Sequence, residues 1–267
     1  MRAGVFDSGV GGLTVLKSLL EYELFDEIIY FGDTARVPYG SKNPQTIVKY
    51  ATEALDFFDS KNVDILIYAC NSVSAYALEA LQSRKKTPIF GVIEAGIKAC
   101  SSIAKQNDHI LVIGTKATIS SKKYQDGLKK KGYENISTIP TALFVPLIEE
   151  SILEGTILQE VMNLYFKPLT NEPNVIILGC THYPMIEKQI AHYFPKAQII
   201  HSGNALSIHL QQKLSLTKHS LASIEFYSSD SVKSLESTAK QWLNKKHHSC
   251  FAFYPTQDLS SSPLINN

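Results

Sequence analysis

Short apolar runs and amphipathic stretches alternate along most of this chain. At 175–178, four consecutive apolar residues, three of them β-branched, are typical of a strand buried on both faces. Leucines at 13, 16, 19 and 20 instead repeat at helical spacing, and Asn43 followed by Pro44 is a typical helix start. Regular alternation of the two patterns predicts an α/β fold in which mostly parallel sheets are flanked by helices.

The periodicity also gives approximate bounds for each element. Strands are predicted at 3–6, 27–31, 63–69, 88–92, 109–113, 136–139, 175–178, 198–200 and 223–227. Helices are predicted at 13–20, 44–58, 73–84, 94–105, 121–131 and 156–166, after residue 204, and at 232–243. The segment 245–267 has no such period, and its serines and prolines predict a loosely ordered tail.

The two halves of the chain follow the same plan. The first strand of each half ends at Phe6 and Ile113, which are 107 residues apart, and Cys70 and Cys180, each directly after a strand, are 110 apart. Similar offsets for two independent landmarks indicate duplication of a unit of about 100 residues. We therefore expect two pseudo-symmetric domains, with the active site in the cleft between them.

Polar side chains cluster where the predicted strands end. In parallel α/β sheets, ligands bind beyond the carboxyl ends of the strands. If the two domains face each other with these ends inward, Cys70 and Cys180 approach one ligand from opposite sides. The other polar positions at these ends are Asp7, Ser8, Tyr39, Gly40, Asn71, Ser72, Thr115, Thr181, His182 and Ser202.

Two opposed thiols suit inversion of a carbon centre next to a carboxylate. One group removes a proton from one face while the other returns a proton to the opposite face. A thiol, with an ordinary pKa of about 8.5, is partly ionised near neutrality, and polar neighbours or a helix start can lower that pKa. Backbone amides together with Asn71, Ser72 and Thr181 would hold the carboxylate as charge builds on it. Because no Schiff-base lysine is evident at these strand ends, we expect no pyridoxal phosphate.

Three further side chains are candidates to orient or tune the thiols and the substrate ammonium group, namely Asp7, Glu149 and His182. For His182, ring packing or capping stays an alternative to catalysis. Cys100 lies among apolar residues of a predicted helix, where packing is the usual role of a cysteine. Cys250 lies in the predicted tail, so we assign neither of these two cysteines to the chemistry.

Composition and charge argue against several other classes of protein. The 267 residues include 26 basic and 25 acidic side chains, and no basic run is longer than the three residues at 129–131, so we expect no nucleic-acid partner. The chain has neither a signal-peptide pattern nor an apolar run that spans a membrane, so we expect a cytoplasmic protein with a small-molecule substrate. The four cysteines lack C-x-x-C spacing, which favours free thiols over disulfides or a metal site.

Three motifs at these strand ends resemble those of the glutamate racemases, which are cofactor-independent members of the aspartate/glutamate racemase superfamily. They are GVFDSGVGG at 4–12, the segment from Gly32 to Gly40 that ends in PYG, and GCTHYP at 179–184. The resemblance covers residues 1 to about 243. Details at 25–27 and 144–154 are most similar to the epsilon-proteobacterial, Helicobacter-like branch.

The resemblance implies interconversion of L- and D-glutamate, supply of D-glutamate to peptidoglycan, no cofactor or metal, and a homodimer. It also implies a discontinuous first domain at 1–92 and 206–244 and a second domain at 93–205. Cys70 and Cys180 would be the catalytic acid/base pair, supported by Asp7, Glu149 and His182. The implied substrate-binding residues are Asp7, Ser8, Pro38, Tyr39, Gly40, Asn71, Ser72, Thr115, Thr181 and His182.

One departure from the family pattern concerns the residues after the first cysteine. Where the family usually has Thr-Ala, this chain has Ser72 and Val73. Serine keeps the hydroxyl but lacks the methyl group that restricts the rotamer of threonine. We expect retained activity with weaker substrate affinity. A double change, Ser72→Thr with Val73→Ala, that raised turnover from undetectable to measurable would contradict this expectation.

Three alternatives stay open from the sequence. The nearest is an aspartate racemase, because the length of the substrate side chain is not legible in the motifs. A second is a cysteine hydrolase that uses Cys70 as nucleophile and His182 as base, which leaves Cys180 without a role. A third is a binding protein in which the same cleft holds a ligand without chemistry.

Overall fold

Two parallel sheets flanked by helices make up the fold. A computed structural model of the chain describes residues 1–84, 87–218 and 220–256. The strands are β1 (Arg2–Asp7), β2 (Glu27–Gly32), β3 (Ile65–Tyr68), β4 (Ile89–Gly91), β5 (Ile110–Gly114), β6 (Ile136–Pro140), β7 (Val175–Gly179), β8 (Gln198–His201), β9 (Ser223–Ser228) and β10 (Phe251–Pro255). The α/β class predicted from the hydrophobic pattern is therefore confirmed.

The helices lie on both faces of the sheets. They are α1 (Leu13–Glu21), α2 (Pro44–Asp59), α3 (Asn71–Tyr76), α4 (Leu78–Gln82), α5 (Val92–Ile103), α6 (Lys116–Ser120), α7 (Lys123–Lys130), α8 (Phe144–Glu149), α9 (Thr156–Phe166), α10 (Glu187–Tyr193), α11 (Ser202–Lys213) and α12 (Val232–Trp242). Short 3-10 helices occur at Tyr39–Ser41, Tyr183–Ile186 and Lys245–Cys250. As predicted, Asn43 caps α2, because its side chain accepts a hydrogen bond from Thr46 N.

The two sheets repeat one topology. The first has the strand order β10-β9-β2-β1-β3-β4 and the second β6-β5-β7-β8, and the neighbouring strands in both are parallel. The order β2-β1-β3-β4 thus recurs as β6-β5-β7-β8, so β3 and β7, which precede Cys70 and Cys180, are equivalent strands. The expected pair of similar domains is confirmed.

Three apolar clusters hold the layers together. One lies between the first sheet and α2, around Phe58, and another lies between the second sheet and the helices α8 and α9, around Phe144. The third includes residues of both sheets and of α1, α5 and α11, among them Leu16, Ile93 and Leu206. Burial of one such side chain stabilises a fold by about 1.5–3 kcal/mol, so this shared cluster joins the two domains firmly.

Two helices differ from the sequence prediction. The helix expected at 73–84 begins at Asn71 and is divided into α3 and α4 at Ala77. The helix expected at 121–131 is preceded by α6, which Thr115 caps by accepting a hydrogen bond from Thr118 N. Lys122 then adopts the left-handed region, with φ of 57°, and separates α6 from α7. The predicted domain boundaries, 92/93 and 205/206, fall in the first turns of α5 and α11 and stay a prediction.

The segment after residue 244 differs from the expected loose tail. Its described part, 245–256, forms a 3-10 helix and then β10, which pairs in parallel with β9 at the edge of the first sheet. Phe253 stacks on Phe226 with ring centroids 4.8 Å apart, and Phe251 contacts the same ring. Apolar residues at every second position thus extend the sheet, and residues from 257 lie outside the described part of the chain.

No helix within the described ranges is both long enough and apolar enough to cross a membrane.

Candidate active site

A small cavity lies between the two sheets at the carboxyl ends of their strands. It measures about 20 Å³. Cys70 follows β3 of the first sheet and Cys180 follows β7 of the second, so each domain supplies one thiol. The cavity is lined by Ser8, Val37, Pro38, Tyr39, Gly40, Cys70, Asn71, Ser72, Thr115, Val145, Cys180, Thr181 and His182.

Cys70 is held as a neutral thiol. Its Sγ lies 3.5 Å from the Ser8 hydroxyl oxygen, and its residue is 6% exposed. Burial, with the nearby Asp7 carboxylate, raises the pKa of Cys70 to about 12. The Ser8 hydroxyl and the Val73 N–H at the start of α3 act in the lowering direction, as the sequence suggested, but burial outweighs them.

Cys180 lies beside a charged imidazole. His182 Nδ1 is 3.9 Å from Cys180 Sγ, and His182 Nε2 is 3.1 Å from Glu149 Oε1. Burial alone would lower the pKa of His182, but hydrogen bonds to Cys180 and Glu149 raise it to about 10. His182 is therefore protonated at neutral pH and places a cation beside the Cys180 sulfur.

Asp7 lies behind the cavity at the end of β1. It is fully buried and accepts hydrogen bonds from Gly9 N at 3.0 Å and from the Thr181 hydroxyl at 3.3 Å. Burial raises the pKa of Asp7, while His182 and the backbone N–H groups of the glycine turn oppose this rise. Asp7 thus links the first domain to the segment that carries Cys180.

The glycine-rich turn after β1 allows the two domains to approach closely. A Cβ atom on Gly11 would lie 2.4 Å from His182 Nδ1 and 2.5 Å from Thr181 Oγ1. On the other side of the cavity, a Cβ atom on Gly40 would lie 2.5 Å from Thr115 Cβ. Any larger side chain at either glycine would therefore push the domains apart.

The loop before α2 is held by an ionic network. The Tyr39 hydroxyl donates to Asp33 Oδ2, and Arg36 forms ion pairs with Asp33 and Glu53. The Arg36 guanidinium also lies over the Tyr50 ring, 4.0 Å from its centroid. These contacts fix the Pro38-Tyr39-Gly40 segment at the cavity wall. The Tyr39 hydroxyl donates its proton to Asp33 and not into the cavity.

Hydroxyl and amide groups from both domains meet at the opposite wall. Ser72 Oγ lies 3.0 Å from Thr115 Oγ1 and 3.4 Å from Thr118 Oγ1. The Tyr124 hydroxyl donates to Asn71 Oδ1 at 2.8 Å. Ser72 thus contacts the second domain through its hydroxyl, the group that a threonine at this position would also provide.

The structure brings the residues predicted from sequence together. Of the thirteen catalytic and substrate-binding residues predicted from sequence, eleven line the cavity. The other two, Asp7 and Glu149, contact its lining residues Thr181 and His182. Ser202 instead donates to the Leu178 carbonyl oxygen. Sequence reasoning assigned no role to five nearby residues. Asp33 and Val37 lie within the motif from Gly32 to Gly40 and Val145 lies within 144–154, whereas nothing in the sequence marked Thr118 and Tyr124.

The other two cysteines lie elsewhere. Cys100 is fully buried in the apolar cluster shared by the two domains, as expected. Cys250 is partly exposed at the end of the last 3-10 helix. A larger groove of about 440 Å³, lined in part by Lys17, His201 and Trp242, contains no cysteine.

Comparison with known proteins identifies the family. The sequence model of Asp/Glu/Hydantoin racemases matches residues 21–207. This chain belongs to that family. A glutamate racemase of Campylobacter jejuni subsp. jejuni is 52% identical over 247 residues, which cover 91% of this chain and 98% of that protein. A glutamate racemase of Helicobacter pylori (strain G27) is 54% identical over 253 residues, covering 91% and 99%. The resemblance to the Helicobacter-like branch is confirmed.

Solved racemase structures agree with this assignment. The glutamate racemase from Campylobacter jejuni subsp. jejuni has a TM-score of 0.90 at 51% identity and covers 92% of this chain and 99% of its own. The Francisella tularensis enzyme in complex with D-glutamate has a TM-score of 0.82 at 34% identity, covering 91% and 93%. An aspartate racemase from Picrophilus torridus, 17% identical with a TM-score of 0.58 over 81% of this chain and 95% of that one, shares the fold.

The chain is therefore an isomerase of the amino-acid racemase class. A binding protein without catalysis, one of the alternatives from sequence, does not fit this family. The hydrolase alternative required His182 to act as the base for Cys70. The racemase structure instead places the His182 imidazole beside Cys180, with Ser8 beside Cys70.

Proposed function

We propose that this racemase interconverts L- and D-glutamate by proton transfer through Cys70 and Cys180 and supplies D-glutamate for peptidoglycan. The observation that carries the proposal is that two thiols, one from each domain, line the same cavity. Glutamate as substrate is supported by relatives at 52% and 54% identity that are glutamate racemases. It is further supported by the Francisella tularensis neighbour, whose structure contains D-glutamate.

The two sulfurs begin the reaction in different protonation states. In the direction described here Cys180 acts as the thiolate, with the His182 cation 3.9 Å from its sulfur, and burial keeps the proton on Cys70. The Cys180 thiolate takes the α-proton from one face of the substrate, and the Cys70 thiol donates its proton to the opposite face. The carbon is inverted, Cys180 ends as a thiol and Cys70 as a thiolate. The same steps in reverse convert the other enantiomer.

Negative charge that moves onto the substrate carboxylate during the reaction needs nearby donors. Asn71 Nδ2 and the hydroxyls of Ser8 and Ser72 belong to residues that line the cavity, and the His182 cation adds positive potential. Preorganised donors of this kind stabilise a developing charge far better than mobile water does. The proposed role of these residues is to bind the carboxylate and to make the α-proton more acidic.

Substrate access requires movement of the cavity walls. A space of about 20 Å³ has room for little more than one water molecule, which is much smaller than glutamate. The close contacts of Gly11 with His182 and of Gly40 with Thr115 both join one domain to the other. We propose that separation of the domains at these two contacts admits the substrate and that their closure excludes water.

We further propose that the reaction uses neither pyridoxal phosphate nor a metal. The thirteen cavity residues include no lysine that could form a Schiff base, and within the described ranges no group of three or more His, Cys, Asp and Glu side chains is arranged to hold a metal ion. A cytoplasmic homodimer is also proposed. Leu164 on α9 is a large apolar side chain that is 63% exposed, so Leu164→Glu should yield a monomer in sedimentation experiments if α9 forms the contact between subunits.

Exchange of the α-proton with deuterated solvent tests the proposal directly. Each enantiomer of glutamate and of aspartate is incubated with enzyme, and deuterium incorporation and optical rotation are followed. We expect both to occur with glutamate, and Cys70→Ser and Cys180→Ser each to reduce racemisation by roughly 10²- to 10⁴-fold. Cys250→Ser serves as the matched control and should keep full activity. Preferential exchange of aspartate, or full turnover without Cys180, would refute the proposal.

A further inference from the structure

Tyr124 on α7 lies between the two segments that carry the cysteines. A Cβ atom on Gly179 would lie 3.4 Å from Tyr124 Cε2, and Gly179 directly precedes Cys180. The Tyr124 hydroxyl donates to Asn71 Oδ1 at 2.8 Å, and Asn71 directly follows Cys70. One fully buried side chain of the second domain therefore touches both thiol-bearing segments.

The Asn71 amide is anchored on one side only. The residue is 2% exposed and lines the cavity, and its Oδ1 accepts the Tyr124 hydrogen bond. Its Nδ2 has no hydrogen-bond partner within the part of the chain that the structure describes. A buried donor without an acceptor is costly, so this amide group is suited to an acceptor that arrives with the substrate.

We propose that Tyr124 is a positioning residue whose hydroxyl holds the Asn71 amide with its NH₂ group available to the substrate carboxylate. The inference rests on the proposed glutamate racemisation and extends it to a residue outside the cavity. An asparagine amide turned by 180° has nearly the same shape but exchanges donor for acceptor. In that orientation Oδ1 would face the carboxylate and repel it.

Two features make the tyrosine suited to this role. Burial raises the pKa of Tyr124, so its hydroxyl keeps the proton that it donates. Another glycine, Gly96, confines the Tyr124 ring from a further side, because a Cβ atom on Gly96 would lie 3.2 Å from Tyr124 Cε1. Ser202, whose hydroxyl neighbours that of Tyr124, donates its own proton to the Leu178 carbonyl oxygen at 2.7 Å.

Tyr124→Phe removes the hydroxyl and leaves the ring. We expect KM for both enantiomers of glutamate to rise about three- to tenfold, because one hydrogen bond of ordinary net strength no longer selects the amide orientation. Because the amide contacts the carboxylate before and during the reaction, kcat should change less than KM. Tyr133→Phe is the matched control, since the Tyr133 hydroxyl is also buried but donates to the Ala104 carbonyl oxygen at 3.2 Å.

A double-mutant cycle separates this role from a purely structural one. In an Asn71→Ala background, Tyr124→Phe should have no further effect on KM or on the dissociation constant of D-glutamate measured by calorimetry. Calorimetry keeps the comparison measurable if turnover is low. An equal effect of Tyr124→Phe in both backgrounds, or a KM like that of Tyr133→Phe, would overturn the inference. Failure of the unmodified enzyme to racemise glutamate would instead refute the proposed function.

Discussion

Replacement of Glu149 by glutamine tests what keeps the imidazole beside Cys180 charged. The carboxylate lies 3.1 Å from His182 Nε2, and it helps to raise the pKa of His182 from 6.5 to about 10. Glutamine keeps the shape and an acceptor oxygen but removes the negative charge. The change therefore separates the charge of Glu149 from its packing.

The expected size follows from the type of hydrogen bond. A bond between charged partners contributes about 1.5–3 kcal/mol and a neutral one about 0.5–1.5 kcal/mol, so the loss is about 1–1.5 kcal/mol. Because 34% of the Glu149 side chain is exposed, solvent screens the pair and we take the lower value. That energy, about 1 kcal/mol, lowers the pKa of His182 by about 0.7.

The assay is the pH dependence of kcat/KM for both enantiomers of glutamate. We expect the basic limb of the profile to move to lower pH by about 0.7 in Glu149→Gln. Titration of isotopically labelled histidines by NMR should show the same displacement for His182. Glu150→Gln, at the exposed neighbouring carboxylate, is the control and should leave the profile unchanged. A folded Glu149→Gln variant with the basic limb of the unmodified enzyme would refute the reasoning.

Three further predictions concern stability and domain closure. Because its pKa is raised from 6.5 to about 10 on folding, His182 contributes stability that is complete below pH 6.5 and lost as the pH rises through about 10. Urea unfolding should therefore show a smaller free energy at pH 10 than at pH 7, and less of a difference in His182→Gln. Gly11→Ala should lower kcat/KM by about 5- to 100-fold because its Cβ overlaps the imidazole, and unchanged kinetics would contradict the described closure. Phe253→Ala should lower the free energy of unfolding by about 1–3 kcal/mol in urea titrations, whereas a free tail predicts no change.

Strands were the most predictable part of the fold. β5 was predicted at 109–113 and found at Ile110–Gly114, because a continuous apolar run buried on both faces has few alternatives. The 3-10 helix and β10 after residue 244 were missed. Phe251 and Phe253 do repeat at a strand period, but β10 is only five residues long and polar residues surround it, so the sequence pattern was too short to predict a strand.

The site was predictable where one chain segment carried several polar residues after a strand. Cys180, Thr181 and His182 are consecutive, so the parallel fold alone brings them to the cleft. Tyr124 could not be found in this way. It lies in the first turn of α7, away from any strand end, and its contact with Asn71 spans 53 residues and two domains. Such contacts depend on tertiary packing, which leaves no local pattern.

The second sheet is built from one continuous chain segment and the first from two separate segments. This difference affects the order in which the two domains fold on the ribosome. Residues 110–201 contain the whole second sheet, whereas the first sheet takes β1 to β4 from the start of the chain and β9 and β10 from beyond residue 222. During synthesis, the later-encoded domain can finish its sheet while the earlier one still waits for two strands. The edge of β2 would stay open until β9 emerges, which makes that nascent stage the one most exposed to mispairing with other chains.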